Sequence, residues 1–301
     1  MRSLQKKRLA NEAPFWIMLA PGIILVIIFS YVPMFGLVMA FQRYNPGKGL
    51  LHSPFVGLYN FKFIFSQPTI WRVVGNTLRI AISKMVLGIL VPLILALLIN
   101  EVELKRFKKV VQTCFFLPYF LSWAIIASVI FQMFSLKGPV NQLIEMLGFS
   151  KISFFTDNKV FPYLLIFSDT WKGMGMNIVI YLAAITNTDP SLYEAATVDG
   201  ATRMDQMWHI TLPSILPIVI LTITLALGCV LNAGFDQVYL LYNPLVYESA
   251  DILDTFVYRL GIGQKLYSPA AALGFVKSVI TLILTAVSYW LAYRFAGYRV
   301  F

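Results

Sequence analysis

EAATVDGATRMDQMWHITLP, residues 194–213, is the stretch on which the reading of this 301-residue chain turns. It lies between two apolar spans and is too polar to sit in lipid. It reads as two short helices broken at Gly200. Asp189-Pro190 precedes it, and Ser191 with Glu194 fits a capping box, in which hydroxyl and carboxylate satisfy backbone N–H groups at a helix start. Gly200 gives the backbone freedom for a sharp turn. Thr202 and Asp205 repeat the start signal, and Pro213 is placed to open the next membrane helix, where a missing N–H costs nothing. On spacing alone, the commonest account of such a stretch is a helical hairpin joining two spans.

The residues say more. Glu194-Ala195-Ala196, then Gly200 four residues after Ala196, then Ile210 and Leu212-Pro213 resemble the EAA loop of binding-protein-dependent ABC importer permeases. The resemblance implies that the loop over 187–212 is a coupling helix, which docks in a groove of a cytoplasmic ATPase and transmits ATP-driven movement to the spans. It assigns roles to Glu194, Ala195, Ala196 and Gly200: an electrostatic contact, two side chains small enough for close docking, and a turn. Asp199 and Met207 share the loop and are added as contact candidates. Met207 and Trp208 suit either a hydrophobic cleft of the partner or packing back on the bundle.

Composition agrees with a membrane setting. The chain is 58% hydrophobic and 13% charged, and its mean hydropathy is +0.74. A soluble domain would carry roughly twice that share of charge. The net charge of +10 is spread over span ends rather than gathered in a basic domain, which suits anionic lipid and not nucleic acid. Cys114 and Cys229 both fall in apolar spans and imply no disulfide framework. Lys6-Lys7-Arg8 precede a stretch that is too long for a signal peptide and lacks a small-residue cleavage pattern, so it is read as a span.

A bilayer core takes about 20 apolar residues per helix. Six stretches qualify, roughly 15–41, 77–99, 110–133, 162–186, 213–240 and 271–293. Basic residues are dense at Arg2, Lys6, Lys7 and Arg8, at Lys105, Arg106, Lys108 and Lys109, and at Arg294 and Arg299. Arg43, Lys48, Lys62 and Lys151 are spread over longer loops on the other side. The bias places both termini and the 187–212 loop in the cytoplasm. Pro21, Pro33, Pro92 and Pro118 are expected to bend their spans. No appended soluble domain, internal repeat or low-complexity tract is visible, so residues 1–301 read as one transmembrane domain.

The outer loop at 42–76 contains FVGLYNFKFIF (Phe55–Phe65), Trp71 and Asn76-Thr77-Leu78, and resembles the carbohydrate branch of these permeases, the MalF and MalG type. An interfacial aromatic belt accounts for most of the aromatics equally well. YNPLVYESADILDTFVYRLGI (Tyr242–Ile262), Ala272–Phe275 and FSYVPMFG (Phe29–Gly36) resemble a narrower subgroup, the LplB-like permeases associated with polysaccharide and oligosaccharide uptake.

No GxxxxGK[ST], HExxH, CxxC or GxSxG occurs, so neither ATP hydrolysis nor metal or nucleophilic catalysis has a candidate constellation in the chain. Polarity inside the spans stands out instead. Lys84, Asp169, Lys172, Asn232, Asp236, Gln237, Lys277 and Ser278 fall at one depth, in the outer half, with Trp171, Phe235 and Tyr239 nearby. Asp169 and Lys172 are spaced i, i+3 and placed to pair. Taken one by one, these residues fit interhelical hydrogen bonds. As a converging set they fit a substrate path of Lys84, Asp169, Trp171, Lys172, Asn232, Phe235, Asp236 and Lys277, where hydroxyl partners and aromatic faces would meet a sugar.

The reading is an all-α integral membrane protein of six transmembrane helices with both termini cytoplasmic. Under the resemblance this is the type I ABC importer permease fold, in a bacterial cell membrane. The resemblance implies a carbohydrate substrate, a second homologous permease, two ATPase subunits that hold ATP and Mg, an extracytoplasmic solute-binding protein, and no cofactor in this chain. An ion-coupled secondary transporter using Asp169 and Lys172, or an ABC permease for a non-sugar solute, is the alternative.

Overall fold

The computed structural model describes residues 2–296. Arg299, expected to mark the cytoplasmic side, lies outside the described residues, as do the side chains of Arg2, Lys6, Lys7 and Arg8. The helices used below are α1 (Arg2–Val26), α2 (Tyr59–Phe65), α3 (Pro68–Asn100), α4 (Lys105–Phe120), α5 (Trp123–Phe134), α6 (Phe161–Thr186), α7 (Pro190–Val198), α8 (Arg203–Gln206), α9 (Leu212–Gly228), α10 (Phe235–Leu241) and α11 (Tyr267–Ala296). A π-turn, Met207–Thr211, joins α8 to α9. Among the described residues there is no strand, only an isolated bridge between Gln42 and Phe55.

The chain divides into two compact units, Met1–Gln67 with Val257–Val276 and Pro68–Phe256 with Lys277–Phe301. In the first, Phe41 meets Phe61 and Phe275 at 5.2 and 5.6 Å between ring centroids. Asn60 is buried there and donates to the carbonyls of Ala40 and Gln42, both at 2.9 Å. In the second unit, α3 packs most extensively on α6. Ile80 and Ala81 of α3 join Phe161, Leu164 and Leu165 of α6 in one apolar cluster. Ile89, Ala96 and Ile99 join Met174, Ile178 and Tyr181 in another, with Ile215 and Val219 of α9. Lys84 and Asp169 fall between these clusters along their helices. Lipid is as apolar as these side chains, so close packing rather than escape from water holds such contacts together.

Among the described residues, five helical stretches are long and apolar enough to cross a membrane: Pro14–Phe41, Pro68–Asn100, Trp123–Met146, Arg203–Gly228 and Tyr267–Leu291. In the first, Phe15, Ile17 and Met18 are 67%, 72% and 79% exposed, a surface that only lipid or another chain can cover. Two expected spans are not continuous helices. The stretch at 110–133 breaks at Leu121, which is extended, and Ser122 restarts the helix by accepting a hydrogen bond from the Ile125 N–H. The stretch at 213–240 leaves the helix at Gly228 and resumes at Phe235, and Gly234 takes the left-handed backbone (φ +89°) immediately before the restart. Pro92, by contrast, lies inside the uninterrupted 33 residues of α3.

Helices α4 and α6 touch through backbone at Gly175. A Cβ added there would lie 2.6 Å from Phe116 Cα and closer still to the Phe115 carbonyl oxygen. Gly175→Ala is therefore expected to destabilise the protein by about 3 kcal/mol or more, because rigid backbone must move. A thermal inactivation midpoint in detergent equal to wild type would show that the contact is not this close.

Candidate functional site

The loop stands out from the second unit as two capped helices. Pro190 occupies the first turn of α7, and Asp189 caps it by accepting from the Ser191 N–H at 2.9 Å. The expected Ser191–Glu194 capping box does not form, because the helix starts two residues earlier, at Pro190 with Asp189 as its cap. The Glu194 carboxylate is left exposed, as is Ala195, while Ala196 is half-buried. Gly200 makes the expected turn with φ +78°. The Thr202–Asp205 box forms as expected: the Thr202 hydroxyl accepts from the Asp205 N–H at 3.3 Å and the Asp205 carboxylate accepts from the Thr202 N–H at 2.9 Å. The Thr202 hydroxyl also donates to the Asp205 carboxylate, and this bond first, then that from the Thr202 N–H, holds the Asp205 carboxyl below its ordinary range.

Pro213 stands in the first turn of α9, as expected, where its missing N–H costs little; α9 follows the π-turn without leaving the helical run from Arg203 to Gly228. Tyr193 on α7 meets Thr211 at 2.9 Å, hydroxyl to hydroxyl, and Gln206 donates to Thr197 at 3.0 Å. Arg203 pairs with Glu103. These ties lock the loop to the foot of α9. Asp199, Val198 and Trp208 are exposed and Met207 is half-buried.

The intramembrane polar residues gather in part. Lys84, Asp169, Asn177, Thr222, Asn232 and Gly234 line a cavity of about 460 Å³. The buried Lys84 ammonium donates to the Ala233 carbonyl at 2.6 Å and to Gln237, and lies 3.6 Å from the Asp169 carboxylate. Asp169 thus faces Lys84 on α3, not Lys172. Lys172 instead donates to the Tyr119 carbonyl at 2.9 Å, with the Tyr119 and Trp123 rings at 5.5 and 5.6 Å. The i, i+3 spacing offered a contact, but partners on neighbouring helices took both side chains.

Lys277 donates to Asn232 at 3.0 Å and pairs with Asp254 at 2.5 Å, so it orients a cavity residue from behind. Trp171 faces a separate apolar groove with Phe134 and Phe154. Phe235 stacks on Tyr239 at 5.3 Å, and Asp236 is exposed in the first turn of α10. Neither Phe235 nor Asp236 is on the cavity wall.

Asp254 was not among the expected site residues, and Gln237 was singled out for its depth but left out of the expected path. Fully buried, Gln237 donates to the Leu165 carbonyl and to Ser168, each at 2.7 Å. A glutamine three residues after a span-breaking glycine was the available signal. A Cβ at Gly234 would lie 3.0 Å from the Lys84 nitrogen, so this glycine leaves room for the ammonium.

Lys84→Met would strand the Ala233 carbonyl, Gln237 and Asp169 together. The expected loss is about 3 kcal/mol, with partial recovery when Asp169→Leu is added. Thermal inactivation of both variants checks this, and a stable Lys84→Met would refute the anchoring role. At the loop, the Asp205 carboxyl has its lowered value in the folded state, so the cap contributes above the unfolded value of about 3.9 and is lost as pH falls through the folded value. Asp205→Asn should speed amide exchange over 203–206 at neutral pH, with the difference from wild type vanishing as the medium becomes acidic.

A profile of the family described as binding-protein-dependent transport system inner membrane component matches residues 88–297. The chain is similar to the polygalacturonan/rhamnogalacturonan transport system permease protein YteP of Bacillus subtilis (strain 168), 42% identical over 289 residues that make up 96% of this chain and 90% of the relative. It is 41% identical to the protein LplB of the same organism over 288 residues, 95% of this chain and 91% of the relative. A chain from the crystal structure of a bacterial ABC transporter involved in the import of the acidic polysaccharide alginate superposes with a TM-score of 0.90 at 36% identity, covering 97% of this chain and 99% of that one. With this fold, this loop and these likenesses, the chain belongs to the family of binding-protein-dependent transport system inner membrane components, the non-catalytic permease subunits of ABC transporters.

Proposed function

We propose that this chain is a membrane-spanning subunit of an ATP-driven importer of complex carbohydrate in a bacterial cell membrane. The observation that carries the reading is the exposed Glu194-Ala195-Ala196 helix and its Gly200 turn, in a chain whose relatives are named for polygalacturonan and alginate transport. Six spans with cytoplasmic termini and a single transmembrane domain fit this reading. The sixth span is α6, whose 26 residues reach about 39 Å. Its Asp169 and Lys172 lower its apolarity, but both side chains are satisfied by protein groups.

The mechanism is alternating access. A loaded solute-binding protein docks outside, and two ATPase subunits, holding ATP and Mg, close inside. Glu194 and Asp199 contact the ATPase by charge, Ala195 and Ala196 allow close approach, Gly200 turns the chain, and Met207 supports the apolar rim. Movement passes through the Tyr193–Thr211 tie into α9, which ends at the cavity. Lys84, Asp169 and Asn232 form the polar wall of the path. Lys277 positions Asn232, while Lys172, Trp171, Phe235 and Asp236 stand off the cavity and are weaker candidates for sugar contact. A second, homologous permease completes the path.

Purification of the tagged protein in mild detergent is expected to recover an ATPase and a second permease. Glu194→Arg should lose the ATPase and keep the permease. Recovery of the wild type alone, under conditions that preserve another importer of this type, would overturn the reading.

A further inference from the structure

The lysines inside the spans are spoken for. Lys84 and Lys277 each face a carboxylate, Asp169 and Asp254, and Lys172 sits on a carbonyl and two rings. A carboxylate-bearing sugar would have to displace these partners. The first unit differs in sequence: residues 41–67 and 257–276 contain Arg43, Lys48, Lys62, Arg259 and Lys265 and no aspartate or glutamate.

Two of those cations line one pocket of about 340 Å³ with Tyr44, Tyr59, Tyr267 and Ser268. The Arg43 guanidinium lies 5.8 Å from the Tyr59 ring centroid, and Tyr44 meets Tyr267 edge to face at 5.9 Å. The pocket is held in shape from behind. The Arg43 N–H donates to the Pro54 carbonyl at 2.9 Å, the Tyr44 N–H donates to the Ser268 hydroxyl at 2.8 Å, and Asn60 holds the Ala40 and Gln42 carbonyls. Lys265 sits in the left-handed backbone region (φ +58°), which a lysine adopts at a cost of about 1 kcal/mol. A position suited to glycine that holds a lysine at a pocket rim is the kind of local strain found at functional positions. Tyrosine faces stack on the C–H surface of a sugar ring, and a guanidinium grips a carboxylate with two parallel hydrogen bonds.

We propose that this pocket, on the outer side in the orientation argued above, is a binding site for an acidic saccharide. Arg43 and Lys265 hold a uronate carboxylate, and Tyr44, Tyr59 and Tyr267 hold its ring. The assignment rests on the carbohydrate reading and names the chemistry of the sugar within it.

The test uses the importer assembled from this chain, its second permease and its ATPases, in nanodiscs of zwitterionic lipid. It is titrated with an oligogalacturonate and with its methyl ester. The wild type is expected to bind the acid form in a salt-sensitive way and the ester weakly. Arg43→Gln and Lys265→Gly are each expected to weaken binding of the acid form by about tenfold. Lys265→Gly also suits the local backbone, so loss of folding is not its expected outcome. Equal affinity in wild type and variants overturns the site. So does unchanged sugar affinity accompanied by weaker binding to phosphatidylglycerol vesicles, which assigns the cations to lipid, or to the solute-binding protein, which makes them a docking contact. ATP-driven uptake by the wild type in proteoliposomes separates the two levels: uptake with equal variant affinity removes only this site, whereas no uptake of any carbohydrate removes the reading beneath it.

Discussion

A single buried ammonium, that of Lys84, sets the condition for the rest of the second unit. The fifth expected span breaks between Gly228 and Phe235, and each backbone group exposed by a break inside a bilayer costs several kcal/mol unless something satisfies it. Lys84 reaches from α3 to the Ala233 carbonyl and to Gln237, and Gln237 in turn holds the Leu165 carbonyl and Ser168 on α6. The charge that makes this possible is itself costly in lipid, and Asp169 offsets it. Three helices are thus tied at one level by one network, between two apolar clusters. Non-helical backbone at membrane depth is tolerated where it lines a cavity, and this break does so.

That placement gives the 187–212 loop mechanical meaning under the proposed coupling role. α7 is a two-turn helix with its own cap at each joint, too short to be stable alone and fastened at Tyr193 and Thr197 to the foot of the next run. From Arg203 to Gly228 that run is continuous through the π-turn. A load applied at Glu194 has a rigid rod to act on, and the rod ends where the Lys84 network begins. The contiguity is a matter of geometry.

Much of the loop was legible because its signals are local. Gly200, the Thr202–Asp205 box and the exposed Glu194 depend only on residues within a few positions of one another. That Lys84, Asp169, Asn232 and Lys277 come near one another was legible for a similar reason, since a polar group in an apolar run is visible by itself. Their partners were not. Asp169 chose Lys84 over Lys172 because helix packing brought α3 nearer than its own next turn, and no spacing rule contains that. The breaks at Leu121 and Gly234 were missed because apolar composition runs straight through them, so hydropathy shows a span where the backbone changes direction. Ser191 misled because Pro190 had already fixed where the helix begins.

The distribution of charge partners follows from what each environment charges for an ion. Inside the spans an unpaired cation costs several kcal/mol, so Lys84 and Lys277 persist beside carboxylates and Lys172 beside a carbonyl and two rings. Once so satisfied, these groups are poor receptors for a further carboxylate, because gaining one means losing the protein partner. Outside the hydrocarbon an unpaired cation costs little, and the first unit carries Arg43 and Lys265 with no acid in the surrounding sequence. Selection for charge is therefore cheapest outside the hydrocarbon, where a cation can wait without a protein carboxylate beside it.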